Sequence, residues 1–126
     1  MANEILRIGN SSGFYGDRLS APREMVEGGP IDVLTGDYLA ELTMAILYRS
    51  RVKRPETGYA TTFLTQMEQV LGSCLEKRIR VVSNAGGLNP AGLAEALHGL
   101  ADRLGLKPRI AYITGDDVLG RLESWQ

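Results

Sequence analysis

Short runs of alternating apolar and polar residues are separated, along this chain, by longer stretches with apolar residues at helical spacing. The alternating runs predict strands with one buried face, and the longer stretches predict amphipathic helices. The predicted strands cover residues 4–8, 31–35, 80–83 and 109–114. The predicted helices cover residues 19–27, 37–48, 59–77 and 90–104, and a last short helix runs from residue 115 toward Trp125.

Capping and breaking residues indicate where these helices begin and end. Asn89 followed by Pro90 is a strong start signal, and Gly105 ends the helix that they begin. Asp37 is a candidate cap for the second helix. The apolar face expected for that helix carries Leu39, Leu42, Ile46 and Tyr48. The buried face expected for the third helix carries Phe63, Met67, Val70, Leu71 and Cys74.

The order of these elements, β-α-β-α-α-β-α-β-α, predicts an α/β fold. We expect an open doubly wound layer of about four parallel strands flanked by helices, of the Rossmann-like or flavodoxin-like type. The expected strand order is 2-1-3-4, which places a crevice between strands one and three. No internal repeat or linker interrupts the 126 residues. Residues 1–126 are therefore expected to form one domain.

Composition and charge exclude several classes of function. Lys and Arg number 14 against 15 Asp and Glu, without a run of five like charges, so neither nucleic acid nor a membrane surface is an expected partner. No apolar run approaches the ~20 residues of a membrane span. The first residues, Met1 to Ile5, lack the basic and apolar regions of a signal peptide, and we expect a cytoplasmic protein.

Cysteine and histidine offer little chemistry in this chain. The single cysteine, Cys74, lies on an apolar helix face and is expected in the core, and the single histidine, His98, is expected to be solvated. A metal site would have to rest on carboxylates alone. No metal is predicted, and no cofactor is required on the evidence of the residues.

Polar, glycine-bearing segments follow all four predicted strands. Because ligands bind beyond the carboxyl ends of strands in an open parallel sheet, residues 11–17 and 84–89 are expected to face each other in one pocket. Glycines at positions 9, 13 and 16 depart from both the dinucleotide fingerprint and the phosphate loop, so they give only a weak nucleotide signal. The candidate substrate-binding residues are Ser11, Ser12, Gly13, Tyr15, Gly16, Asn84, Gly86, Gly87 and Asn89.

Carboxylates at the same edge of the predicted sheet are candidates for acid–base work. Asp17 and Asp37 are the candidate catalytic residues, and Asp37 belongs to a set of acids that could gather at this edge, where close carboxylates raise one another's pKa and suit proton transfer or Mg²⁺ binding. Glu41, Asp116 and Asp117 could gather there too. Each of these acids also has an ordinary structural interpretation, as a helix cap or a residue of an exposed first turn.

Five segments carry a resemblance to a known family. They are SGFYGD at 12–17, DYLAELTM at 37–44, GYATTF at 58–63, SNAGGLNP at 83–90 and GDD at 115–117. In this order and spacing the chain resembles the amino-terminal part of the acyclic terpene utilisation (AtuA-like) family. Tyr15 stands where many relatives have tryptophan. Family members continue for several times this length, so the resemblance implies a fragment, or a small subunit completed by another polypeptide.

The resemblance implies a component of a catabolic enzyme for terpenoid or branched acyl-CoA compounds. Such a component would bind an acyl-CoA or related carboxylate at the strand-end loops and support hydratase-, dehydratase- or lyase-like chemistry. One alternative is a noncatalytic structural subunit that completes a larger enzyme. Another is a nucleotide-binding domain, which the glycine spacing disfavours. We expect the chain to work in an assembly, with a complementary polypeptide or as a homo-oligomer.

Overall fold

The structure, a computed structural model, describes residues 4–126. Residues 1–3, which contributed to the expectation that no signal peptide is present, lie outside the described residues. The elements in chain order are β1 (Ile8–Asn10), α1 (Ala21–Gly28), β2 (Val33–Gly36), α2 (Glu41–Lys53), α3 (Thr62–Glu76), β3 (Arg80–Ser83), α4 (Pro90–Leu104) and a 3₁₀ helix (Leu119–Trp125). The α/β class is confirmed, with a parallel sheet flanked by helices.

The described strands form one parallel sheet in the order β1-β2-β3. In its register, Val33 is the partner of Ile8 on one side and of Arg80 on the other. The expected order 2-1-3-4 is therefore wrong, because β2 and not β1 is the central strand. A doubly wound layer needs a reversal of strand order, and the described strands have none. When consecutive strands are added in one direction across a sheet, right-handed crossovers place their connecting helices on the same face of the sheet.

The two faces of the sheet have different surroundings. Gly9, Leu34 and Val81 lie side by side in the register, and Leu34 is buried under the helices. On the opposite face, the side chains of Ile8 and Val82 are 60% and 54% exposed. Within residues 4–126 this second face is open to solvent, although parallel sheets are normally covered on both faces. We call it the open sheet face.

The predicted fourth strand, residues 109–114, is not a strand in the structure. These residues make no backbone hydrogen bond to any of residues 4–126, and Ile113 is 92% exposed. Alternating apolar and polar residues indicate that a segment can form a strand, but the segment becomes one only when its backbone pairs with a neighbouring strand. The last predicted helix, from residue 115, is shorter than expected and consists of the 3₁₀ turn that begins at Leu119.

Helices α3 and α4 follow the sequence pattern closely. The predicted buried face of α3 is confirmed, since its five apolar residues all lie in the core. In α4, Asn89 caps the first turn by accepting a hydrogen bond from the Gly92 backbone at 2.9 Å. Gly105 ends the helix in the left-handed conformation, with φ of 69°. Local capping signals therefore predicted both ends of α4.

Helix α2 differs from the prediction on its buried face. Leu42, Ile46 and Tyr48 are exposed, and the buried residues are Thr43 and Leu47. Apolar residues lie on every side of this helix, so their pattern does not select one face. The expected cap is also wrong, because the helix begins after Ala40 and makes no side-chain cap hydrogen bond.

Candidate functional site

Three loops lie at the carboxyl edge of the sheet, because all three strands are parallel. We name them L1 (residues 11–20), L2 (residues 37–40) and L3 (residues 84–89). The Asp37 backbone donates a hydrogen bond to the Ser12 carbonyl at 2.9 Å, which joins L2 to L1. The Tyr38 backbone donates to Asn84 Oδ1 at 2.8 Å, which joins L2 to L3. L2 therefore lies between the two loops that were expected to face each other.

Asn84 holds the carboxylate of Asp37 in place. Its Nδ2 donates to Asp37 Oδ1 at 2.7 Å, and the Leu39 backbone donates to the same oxygen at 3.2 Å. The hydrogen bond from Asn84, and then that from Leu39, lower the pKa of Asp37 below its usual value. Asp37 Oδ2 has no hydrogen-bond partner among the described residues. Asp37 is thus an ionised, exposed carboxylate whose second oxygen is free to accept a hydrogen bond.

Asp17 closes the turn of L1. Gly13 donates its backbone N–H to Asp17 Oδ2 at 2.9 Å, and Arg18 donates to Oδ1 at 2.7 Å. These two hydrogen bonds, the first from Gly13, lower the pKa of Asp17. Both oxygens already accept a hydrogen bond from the loop itself, and Asp17 does not cap α1, whose cap position is Ser20. Its catalytic role stays a prediction.

The hydroxyl groups of L1 form hydrogen bonds within the protein. Ser11 Oγ donates to the Thr35 carbonyl and Ser12 Oγ to the Phe14 carbonyl, both at 3.2 Å. The Tyr15 hydroxyl pairs with Thr61 Oγ1 at 3.1 Å. The backbone of Gly16 has a positive φ of 97°, which favours glycine at the turn. Ligand contact by these residues stays a prediction.

The L3 residues support close packing of the chain. Gly87 has φ of 54°, and a Cβ there would lie 2.5 Å from Leu47 Cδ1. A Cβ on Gly86 would lie 2.8 Å from Pro90 Cβ. Asn89, besides capping α4, donates from Nδ2 to the carbonyl of Thr57 at 3.0 Å. These contacts explain why the loop is richer in glycine and asparagine than a simple turn requires.

A buried polar pair lies beneath L2 and was missed by the sequence analysis. The Tyr38 hydroxyl donates to Gln66 Oε1, and Gln66 Nε2 donates to the Arg18 carbonyl of L1 at 3.4 Å. Burial raises the pKa of Tyr38 to about 12. The sequence did contain a signal for this pair, because Gln66 is a polar residue on the otherwise apolar buried face of α3. The pair connects L1 and L2 to the core.

Two open grooves border these loops instead of the single expected pocket. The L1 groove, of about 680 Å³, is lined by L1, α1 and residues 28–31. The L3 groove, of about 480 Å³, is lined by Met44, residues 87–91 and residues 114–122 apart from 120 and 121. Asn84 and the Asp37 carboxylate line neither groove. They lie between the loops that do.

An ion pair attaches the carboxyl-terminal segment to α2. Arg51 donates from one nitrogen to the Leu88 carbonyl at 2.9 Å and to Asp117 Oδ2 at 2.7 Å. The hydrogen bond from Arg51 lowers the pKa of Asp117. Asp116 is exposed and makes no side-chain hydrogen bond to the described residues. The GDD segment at 115–117 therefore borders L3, as a neighbour of the candidate site.

The other candidate groups lie apart from this arrangement. Glu41 and His98 are exposed, and Cys74 is buried, which raises the pKa of its thiol. Within residues 4–126, no group of three or more His, Cys, Asp or Glu side chains is placed to hold a metal ion. In the same range, no helix has the length and apolar character needed to cross a membrane.

Comparison with known proteins assigns the family. A family model described as "Acyclic terpene utilisation family protein AtuA" matches residues 6–126. No curated protein and no solved structure matches the chain. The match includes L1, L2, L3 and the GDD segment, and it agrees with the five segments that carried the resemblance. The chain therefore belongs to the acyclic terpene utilisation family AtuA.

Proposed function

We propose that this chain is a component of a cytoplasmic acyl-CoA-type catabolic enzyme, and that it binds a terpenoid or branched acyl substrate at L1, L2 and L3. Membership of a terpene utilisation family supports the pathway. The observation that carries the site is the Asp37 carboxylate, which Asn84 keeps ionised with one oxygen free where the loops meet. A ligand bound at this point contacts Asp37 Oδ2, which the hydrogen bond from Asn84 to Oδ1 already holds in position.

The ionised state of Asp37 sets the order of proton transfers, because an ionised carboxylate takes up a proton before it donates one, and its lowered pKa makes it a weaker base than an ordinary aspartate. In hydration of an unsaturated thioester, Asp37 Oδ2 removes a proton from water. The hydroxide oxygen bonds to the β-carbon, and the protonated Asp37 returns the proton to the α-carbon. Dehydration is the reverse. In lyase-like cleavage, Oδ2 takes the proton of the β-hydroxyl, the electrons of the breaking carbon–carbon bond form the enolate of the thioester, and the protonated Asp37 returns the proton to its α-carbon.

Asp37→Asn is expected to weaken substrate binding about tenfold, because the amide offers a weaker acceptor and no charge. Calorimetric titration with the CoA thioester of a branched acyclic isoprenoid acid measures this. Glu95→Gln, an equal charge change at an exposed position in the middle of α4, is the matched control and is expected to bind as the unmodified chain does. Equal affinity in all three proteins contradicts the proposed role of Asp37.

A second candidate function, a noncatalytic subunit that completes a larger enzyme, is favoured by the open sheet face. Ile8 and Val82 leave apolar surface there for a complementary polypeptide or a second copy of this chain. Sedimentation of the chain, alone and mixed with polypeptides encoded by neighbouring genes, is expected to show a complex larger than 13.7 kDa. A chain that remains a monomer in every mixture contradicts this candidate.

A further inference from the structure

The L3 groove has a mainly apolar lining, which does not include Asn84 or Leu39, the residues that hold Asp37. It lies between L3, the start of α4 and the carboxyl-terminal segment. Its volume of about 480 Å³ falls within the range of small-molecule sites, about 300–1,000 Å³. Its apolar lining residues with large side chains are Met44, Leu88, Pro90, Val118, Leu119 and Leu122.

Several of these apolar side chains are exposed to solvent in the groove. Leu119 and Leu122 are 53% and 47% exposed, whereas Met44 and Leu88 are partly buried. An apolar occupant would remove this surface from water, which stabilises a complex by about 25 cal/mol for each Å² buried.

The L3 groove adjoins the loops that hold Asp37, the proposed acceptor. Met44 lies in the first turn of α2, and its backbone donates to Ala40, the last residue of L2. Gly87 follows Asn84 by three residues in L3. One end of the groove is therefore formed by the continuations of the two loops that hold Asp37.

The charges of the groove oppose an anionic occupant. Its lining contains Asp116 and Asp117 and no Lys or Arg. Arg51 approaches from outside the lining, and its charge is already paired with Asp117 at 2.7 Å. A phosphate or carboxylate placed here would meet an unpaired carboxylate at Asp116 and no free cation. The groove suits the uncharged part of a substrate and not the phosphates of a CoA or a nucleotide.

We infer that the L3 groove binds the hydrocarbon portion of an acyclic isoprenoid substrate, whose polar end then lies toward Asp37. This inference rests on the proposed function for the identity of the substrate. Three observations support the place of binding: the groove has an apolar lining, its lining offers no free cation, and the loops that hold Asp37 adjoin it. The groove would thus select for the chain of the substrate, while Asp37 acts at its functional end.

An uncharged acyclic isoprenoid alcohol is the probe for this test, followed by NMR of the full chain. Titration is expected to shift the signals of Met44, Leu88 and Leu119. Leu122→Gln is expected to weaken the probe's binding about tenfold, the loss that corresponds to roughly 1.4 kcal/mol of apolar contact. Leu75→Gln changes an exposed leucine of α3 outside the groove and is the matched control.

A second variant keeps the test independent of any effect of Leu122 on folding. Ala91→Trp fills the groove from the exposed first turn of α4 and is expected to abolish the shifts while the melting temperature is retained. Shifts confined to the open sheet face or the L1 groove, or equal weakening by Leu122→Gln and Leu75→Gln, overturn the inference. Probe binding in the groove without binding of the thioester supports this site and contradicts the proposed function.

Discussion

Gly87→Ala is expected to destabilise the protein by about 3 kcal/mol, since a left-handed backbone costs an alanine about 1 kcal/mol and overpacking adds about 1–3. At φ of 54°, the new Cβ would lie 2.5 Å from Leu47 Cδ1 and 2.9 Å from the carbonyl oxygen of Gly58. Leu47 is buried, and Gly58 itself has a positive φ of 106°, so neither neighbour moves away freely. Urea unfolding monitored by circular dichroism measures the loss.

Gly105→Ala separates the two causes of this destabilisation. Gly105 also has a positive φ, 69°, but a Cβ there meets nothing within 4 Å. Only the backbone cost remains, and we expect a loss of about 1 kcal/mol. If both variants lose the same stability, the close approach of L3 to α2 and to Gly58 is not what requires glycine at position 87.

Tyr38→Phe is expected to lower the stability at neutral pH by about 1–3 kcal/mol, because Gln66 Oε1 is left buried without its donor. The variant also changes the response to alkali. Burial raises the pKa of Tyr38 from 10.0 to about 12, so the folded state retains a proton that the unfolded state releases. The resulting stability is fully present below pH 10 and is lost as pH rises toward 12.

The expected alkaline loss from Tyr38 is about 2.7 kcal/mol, for a pKa raised by about two units at about 1.36 kcal/mol each. It is measured as the difference between the unmodified chain and Tyr38→Phe in urea unfolding from pH 9 upward, since the other titrating groups are common to both. Tyr112→Phe, at an exposed position, is the control and is expected to keep the full alkaline loss. Parallel pH curves for the unmodified chain and Tyr38→Phe contradict the assignment.

Elements defined by local signals could be predicted from the sequence. The strand Arg80–Ser83 has the predicted bounds, and α4 begins and ends at its predicted cap and glycine. In both cases the information lies within a few residues, in side-chain capping and in backbone conformations that only certain residues adopt. The buried face of α3 was equally predictable, because its apolar residues occupy one side of the helix.

Properties that depend on distant neighbours could not be predicted. The central position of β2 depends on which strands pair, and short alternating runs carry no information about their partners. The buried face of α2 depends on L3, where Leu47 packs against Gly87. The sequence placed Asp37 and Asn84 at one edge, but their 2.7 Å contact requires strands β2 and β3 to be neighbours. Gln66 was missed because a single polar residue on an apolar helix face does not indicate which distant residue it will bond, here the Tyr38 hydroxyl.

The open sheet face and the two edges of the same sheet also govern the colloidal behaviour of the isolated chain. Among residues 4–126, the outer edges of β1 and β3 have no partner strand and are templates for pairing with other chains, and Arg80 places a charge at one such edge, which opposes edge-to-edge pairing. Long-range repulsion adds little, because the net charge is −1 at pH 7 and vanishes near pH 5.8. Light scattering is therefore expected to show the fastest aggregation in weak acid, with solubility increasing as the pH is raised above neutrality.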